Sequence, residues 1–292
     1  MLKRLARLFT TSERHLGLPL ERKALLCLMV GILLLSLQNW ACAETYIQSF
    51  ERGRVDWTNG IVEVWATGNP PADAPSPAHA RALAETEAEI TARDDLIGLL
   101  QSIRVDSKST VKEALEHRSA RDQLVAAVLE DSYVVEKSVS ANGPVRLTVA
   151  IRLNGSFGDL VLPKTIVTIK TVEQSSKKEE EFTGLIVDCR GIPLSPAMAP
   201  MIIGEDGQVV YGTAYVSRDQ ALEEGVAAYA RGLAKARDNP RVGPKPLIVR
   251  GLRTVKGRSS DVVISNADAG KIKGAGSNIS FLHRGRVLFV ME

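Results

Sequence analysis

Apolar and polar residues repeat with two different periods along this chain, and the period changes where prolines and glycines interrupt it. Ile61–Ala66 (IVEVWA) alternates imperfectly and closes at Gly68, which predicts a strand. Gly68–Pro77 (GNPPADAPSP) is a proline-rich break. A helical period then runs from Ala78 to about Ile103. Leu83, Ile90 and Ile97 recur seven apart, and Leu96, Leu100 and Ile103 widen their face. Glu85, Glu87, Glu89, Arg93 and Asp94 mostly take the other side. Ser76-Pro77 supplies a capping residue and a proline at or near the first helical position.

Ile103–Asp106 reads as a short extended piece, and a second helix is expected from about Arg118 to Glu130, with Leu124, Val125, Val128 and Leu129 as its apolar stripe. Tyr133–Val135 and Val145–Leu153 read as strands around an Ala141-Asn142-Gly143-Pro144 turn. Val145, Leu147, Val149, Ile151 and Leu153 line one face of the second strand. Arg146, Thr148 and Arg152 line the other, which predicts a sheet open to water on one side. The order strand, helix, helix, strand, strand predicts an α+β unit: a small antiparallel sheet with two helices on one face.

Asn154–Gly158 (NGSFG) reads as a joint to a second unit, again with interleaved elements. Strands are expected at Thr165–Val172, Gly184–Asp188, Val209–Tyr211, Leu247–Leu252, Asp261–Ile264 and Arg286–Met291. Ser175–Glu181 is a charged loop and Gly204–Gly207 a turn. Ser217 can cap a helix from Arg218 to about Ala236, with Leu222, Val226, Tyr229 and Leu233 on one face. Asn266 can cap a short helix. This part is expected to be a mixed α/β domain. The division is then residues 1–43, 44–156 and 157–292.

Residues 1–43 differ in kind from the rest. A basic stretch precedes an uncharged apolar run from Ala24 to Leu37, and Trp40-Ala41-Cys42-Ala43 closes it. Positive flank, apolar centre and small-x-small end form the three-part pattern of a secretory signal, with Ala41 and Ala43 at the cleavage positions. The apolar run has 14 residues, against about 20 needed to span a bilayer. An uncleaved anchor and lipidation of Cys42 stay open as alternatives; Asn39, Trp40 and Ala41 match a lipidation signal poorly. The expected place is the periplasm, with outer-membrane association open.

Charge follows the same division. Residues 1–43 carry six Lys/Arg against Glu13 and Glu21, so of the formal net charge of +3 they hold +4 and the remainder −1. No nucleic-acid footprint is left in the remainder. Beyond the leader Cys189 is the single cysteine, so no internal disulfide forms there.

Candidate chemistry is sparse. His79, His117 and His283 have no ligand spacing, so no metal or cofactor is expected. Cys189 follows Asp188 at the end of a strand, where a nucleophile can sit. No nucleophile-elbow motif or adjacent histidine accompanies it, and a buried inert thiol is the better reading. Gly274-Ala275-Gly276-Ser277 and Gly251–Gly257 lack the order and lysine of a phosphate loop. Arg241, Lys245, Arg250, Arg253, Lys256 and Arg258 form a basic cluster. Arg250, Arg253, Lys256 and Arg258 are its candidates for partner binding, weighed against a plain solvated face. Trp57 and Trp65 flank Gly60 and are read as anchors of the small core.

The stretch Asp56–Gly68 (DWTNGIVEVWATG), the proline break and the alanine-rich helix resemble the LPP-twenty lipoprotein family. Ile103–Val111 (IRVDSKSTV) fits the same pattern. The stretch is similar as well to the N-terminal domain of the flagellar assembly protein T. The resemblance covers about residues 50–155 and rests on fold-determining residues, not on chemistry. It implies an envelope protein, with envelope or flagellar proteins as partners. Members of the lipoprotein family carry a clear lipidation cysteine, and Cys42 departs from that context. Gly184–Gly191 and Pro196–Pro200 look like the C-terminal extension of longer bacterial members.

Together these readings predict an exported, non-enzymatic structural, scaffold or assembly protein of the outer membrane or flagellar base. The alternative is a periplasmic enzyme or ligand-binding module built on Asp188 and Cys189 or on the Arg250–Arg258 face.

Overall fold

The computed structural model describes residues 44–116, 118–140, 143–163, 182–274 and 280–292. Its strands fall into two sheets, one antiparallel and one mixed, so the fold is α+β. Residues from Cys42 to Glu292 group as one unit. The expected strand at 165–172 and the charged loop at 175–181 lie outside the described residues.

The first strands are β1 (Glu44–Thr45), β2 (Ile47–Phe50), β3 (Gly53–Asp56) and β4 (Ile61–Gly68). A tight turn joins β3 to β4. Asp56 Oδ1 accepts from the backbone N–H groups of Thr58 and Asn59, and Gly60 takes φ +65°, which a side chain would resist. Helices α1 (Pro77–Ser102), α2 (Val111–Ala114) and α3 (Arg118–Asp131) follow. The hairpin β5 (Tyr133–Val139) and β6 (Val145–Arg152) then completes an antiparallel sheet of order β2-β3-β4-β6-β5.

Ser76 caps α1, its Oγ accepting from the backbone N–H of His79, with Pro77 at the helix start. The face that α1 buries differs from the expectation. Ala84, Ala88, Ala92, Leu96 and Leu100 are buried, while Leu83 is 43% and Ile90 59% exposed. The reason lies in the sheet. Gly68 ends β4 so close beneath the helix that a Cβ there would stand 1.9 Å from the Ala84 carbonyl oxygen. Only alanines fit an approach of that kind. Leucine enters the interface one turn later, at Leu96 and Leu100, where the helix lies over Val64, Val149 and Ile151. In α3, Leu124 and Val128 are buried, whereas Val125 and Leu129 of the expected stripe are exposed. The inward row of β6 matches expectation: Val145, Leu147, Val149, Ile151 and Leu153 are all buried.

The expected joint at Asn154–Gly158 is the start of helix α4 (Gly155–Val161), so the boundary drawn at 156/157 falls within a helix. Phe157 and Val161 point into the core, which the glycine flanks concealed.

The second half contributes β7 (Gly184–Asp188), β8 (Ile202–Gly204), β9 (Val209–Tyr211), α5 (Arg218–Glu224), β10 (Ala228–Arg231) and α6 (Leu233–Ala236). After them come β11 (Pro246–Val255), β12 (Arg258–Ile264), α7 (Asn266–Gly274), α8 (Ser280–His283) and β13 (Val287–Met291). The sheet order is β1-β10-β13-β7-β11-β12-β8-β9. β7 lies parallel to both β13 and β11. Its Leu185, Ile186 and Val187 are wholly buried, each contributing about 1.5–3 kcal/mol of transfer free energy. That explains an unbroken apolar run in place of alternation.

The single helix expected from 218 to 236 is a correction. Ser217 caps α5 as read, but Gly225 at φ +81° stops it and Gly232 at φ +74° bounds the next element. Between them β10 pairs with β13, and Ala228 and Ala230 pack with Ile186, Leu288 and Val290. Tyr229 goes to the opposite face. Its ring stacks on Phe289 at 5.4 Å and meets Trp57 edge-on at 5.6 Å, and its hydroxyl exchanges hydrogen bonds with the Ala197 backbone. The spacing of Leu222, Val226, Tyr229 and Leu233 suited a helix, but partners from distant strands decided the outcome. The cap of α7 also moves by one residue. Ser265 Oγ accepts from the Asp268 N–H, while Asn266 Oδ1 accepts from the Asp206 N–H across the turn.

Candidate functional site

Ala41, Cys42 and Ala43, the expected cleavage and lipidation residues, lie outside the described residues. No helix among the described residues is long and apolar enough to cross a membrane.

Asp188 and Cys189 leave the end of β7 in opposite directions. The Asp188 carboxylate turns outward and is gripped by Arg190, with Nε at 2.8 Å and Nη2 at 2.7 Å. Those bonds hold its pKa below the ordinary aspartate value. Cys189 turns inward and is 2% exposed. Burial, assisted by the Asp188 charge, pushes the thiol pKa up, so the reactive thiolate is disfavoured. Among the described residues no hydrogen bond joins this sulfur to a histidine. His283 Nδ1 lies 2.8 Å from the Tyr215 carbonyl, His79 sits at the exposed start of α1, and His117 lies outside the described residues.

The basic cluster divides. Arg250, Arg253, Lys256 and Arg258 all lie on the β11–β12 hairpin, and the first three are exposed. Arg258 leans toward Asp261, with Nη1 at 3.9 Å. Asp261 is a side chain of 1% exposure, and neither carboxylate oxygen has a hydrogen-bond partner of ordinary geometry among the described residues. Burial raises its pKa, and Ser107 and Arg258 offset part of that.

Arg241 leaves the cluster for the interior. Its Nε donates to the Gly285 carbonyl at 2.9 Å, and its Nη1 and Nη2 donate to Glu224 and Gly225 carbonyls at 2.7 Å. It thereby caps the C-terminal carbonyls of α5 with a cation, a favoured position for positive charge. Beside it opens a cavity of about 470 Å³, bounded by the Trp57–Gly60 turn, the end of β6 and the α5–β10 loop. Asn154 lines it: Nδ2 donates to the Glu223 carbonyl, while Oδ1 is shielded and unpartnered among the described residues. Thr58 ties the turn down. Its Oγ1 donates to the Tyr229 carbonyl and accepts from the Tyr46 N–H.

The two tryptophans part as well. Trp57 is 5% exposed, donates from Nε1 to Gln48 Oε1 at 2.9 Å, and anchors the core as read. Trp65, 36% exposed, does not: it stands on the outer face of the antiparallel sheet, away from both helices. Around it lies a cleft of about 550 Å³, lined by Thr67, Glu136, Ser138, Arg146 and Thr148. Its rows follow from strand register. Trp65 pairs with Thr148 and Thr148 with Glu136, while Thr67 pairs with Arg146 and Arg146 with Ser138.

Residues 184–292, from β7 to β13, match the family model described as Treponema pallidum Tp0624, second domain. No curated protein matches the chain. The matched stretch holds β7, Cys189, Arg241 and the basic hairpin, and excludes the antiparallel sheet with Trp65.

Three features escaped sequence reading. Thr110-Val111-Lys112-Glu113 is a capping box, with the Thr110 N–H donating to Glu113 Oε2 at 2.7 Å and the Glu113 N–H to Thr110 Oγ1; its T-x-x-E spacing was the available signal. The Trp65 cleft was visible in the alternation of β4, which puts Trp65 and Thr67 opposite Val64 and Ala66. Nothing local pointed to Arg241 as a helix cap, because its acceptors come from residues 16, 17 and 44 positions away.

Proposed function

We propose that this chain is an exported, non-enzymatic protein of the bacterial cell envelope that works by binding other proteins. The reading makes it a structural, scaffold or assembly factor in the periplasm, at the outer membrane or the flagellar base. The observation that carries it is the distribution of exposed apolar side chains. Of the ten exposed large hydrophobics among the described residues, seven come from α1, α3 and β5: Leu83, Ile90, Val125, Leu129, Tyr133, Val134 and Val135. Scattered apolar exposure is ordinary, but concentration on two helices and the edge strand of one sheet favours a partner surface. The charge-apolar-alanine order of residues 1–43 supports export. The resemblance of residues 50–155 to LPP-twenty lipoproteins and to flagellar assembly protein T supports the envelope setting and the class of partner. The inward, high-pKa Cys189 argues against the enzyme alternative.

Capture from crosslinked bacterial envelopes, with a mass measurement of the N-terminus, tests this reading. The expected result is a chain beginning at Glu44 that crosslinks to defined envelope proteins, with the crosslinks lost in Ile90→Lys and Leu129→Lys variants of unchanged circular dichroism. Full-length chain with its leader intact in the cytosol refutes the placement. Crosslinks unaltered by both variants refute the surface.

A further inference from the structure

The outer face of the antiparallel sheet carries a second surface of different chemistry. Six side chains, Trp65, Thr148 and Glu136 in one row and Thr67, Arg146 and Ser138 in the next, project from β4, β6 and β5. Neighbouring strands lie about 4.8 Å apart and residues two positions on about 6.6 Å, so the grid measures roughly 10 Å by 7 Å. Three properties stand out. One large aromatic sits at an edge of the grid, its position fixed by a strand instead of a loop. Around it stand three hydroxyls, one guanidinium and one carboxylate. None of the six side chains has a hydrogen-bond or ion-pair partner among the described residues, and Arg146 and Glu136 do not pair with each other. Donors and acceptors on a rigid scaffold are thus left open to a ligand.

We propose that this cleft binds the sugar rings of a glycan strand, and that the strand is that of the cell wall. A pyranose ring presents axial C–H groups on a face and hydroxyls around its rim. Trp65 offers the electron-rich face that such C–H groups favour, at little conformational cost because β4 holds its backbone. Thr67, Thr148 and Ser138 exchange hydrogen bonds with rim hydroxyls. Arg146 donates to ring or amide oxygens, and Glu136 accepts from hydroxyl or amide hydrogens. One cation and one anion leave the grid without net charge, which suits a neutral polymer better than a polyanion. The choice of cell-wall glycan rests on the export reading; the sugar chemistry does not.

The test uses the full chain. Co-sedimentation with purified murein sacculi and calorimetric titration with chitotetraose are expected to show binding that persists at high salt. Trp65→Ala is expected to weaken both by roughly tenfold or more, Trp65→Phe by less, and Arg146→Ala by severalfold, all with native circular dichroism. Chitotetraose binding by wild type but no sedimentation with sacculi overturns the wall assignment. Binding that Trp65→Ala leaves unchanged, or that salt abolishes, overturns the glycan site. Absence of both binding signals does the same. A cytosolic location refutes the export reading without touching the chitotetraose result, so the two failures are distinguishable.

Discussion

Gly68→Ala is the sharpest perturbation the fold offers, because a single methyl group would meet backbone and not a movable side chain. The new Cβ would stand 1.9 Å from the Ala84 carbonyl oxygen and 2.8 Å from both the Ala84 carbonyl carbon and the Ala88 nitrogen. Ordinary contact requires α1 to retreat by roughly 1.5 Å at this point, and a gap of about 1 Å already forfeits up to half of each dispersion contact. Ala84 and Ala88 would lift from Val145 and Leu147, the cluster they form with Gly68's strand end. Overpacking costs typically about 1–3 kcal/mol, and a clash with a 26-residue helix belongs at the upper end of that range. The loss of unfolded-state freedom on Gly→Ala returns only about 0.4–1 kcal/mol, which leaves a net destabilisation of about 2 kcal/mol. Gly98 supplies the control. It lies exposed in the same helix with no atom within 4 Å of an added Cβ, so Gly98→Ala is expected to stabilise by about 0.5–1 kcal/mol. Urea unfolding followed by circular dichroism and by fluorescence of the buried Trp57 measures both. A Gly68→Ala variant within about 0.5 kcal/mol of wild type would refute the close-approach argument.

Other expectations follow from buried polar groups. Asp261→Asn removes a buried charge that the long 3.9 Å approach of Arg258 offsets only in part, and is expected to stabilise the protein by about 1 kcal/mol near neutral pH. Its folded pKa is raised, so wild type loses stability as pH rises through that value, and the advantage of asparagine shrinks toward pH 4 and below; urea midpoints across pH give the check, and a constant difference contradicts the sign. Arg241→Met leaves three carbonyls without their donor and is expected to cost about 3 kcal/mol, with Arg241→Lys recovering less than half; thermal unfolding decides. The peptide containing Cys189 is expected to resist a maleimide at pH 8 in the native protein and to react only on unfolding, as peptide-level mass spectrometry would show; rapid native labelling contradicts the buried thiol.

Local signals carried the antiparallel half of the fold further than the mixed half. Ser76-Pro77 marked the start of α1, and the alternation from Val145 to Leu153, broken only by the buried Ala150, named the inward residues of β6. These features depend on neighbours within a few positions. The burial of α1 depends instead on Gly68, and a seven-residue spacing cannot reveal that the sheet beneath admits only alanine. Likewise Val226–Arg231 has a helical period, yet Tyr229 is held by Ala197, Phe289 and Trp57, none of them near in sequence. The site followed the same division. Trp65's outward position was implicit in strand periodicity, whereas the cavity beside Arg241 is assembled from segments as distant as Trp57 and Arg286.

The position of β13 governs when the eight-stranded sheet can form. This strand, nearest the C-terminus, lies between β10 and β7 and hydrogen-bonds to both. Until it has left the ribosome, β10 and the β1 strand paired to it have no neighbour to join, and β7 has one parallel edge bare. The sheet cannot close before β13 is available, however slowly the chain emerges. The antiparallel sheet, whose strands all precede residue 153, is under no such delay. Late closure keeps the second half of the chain open until its last strand arrives.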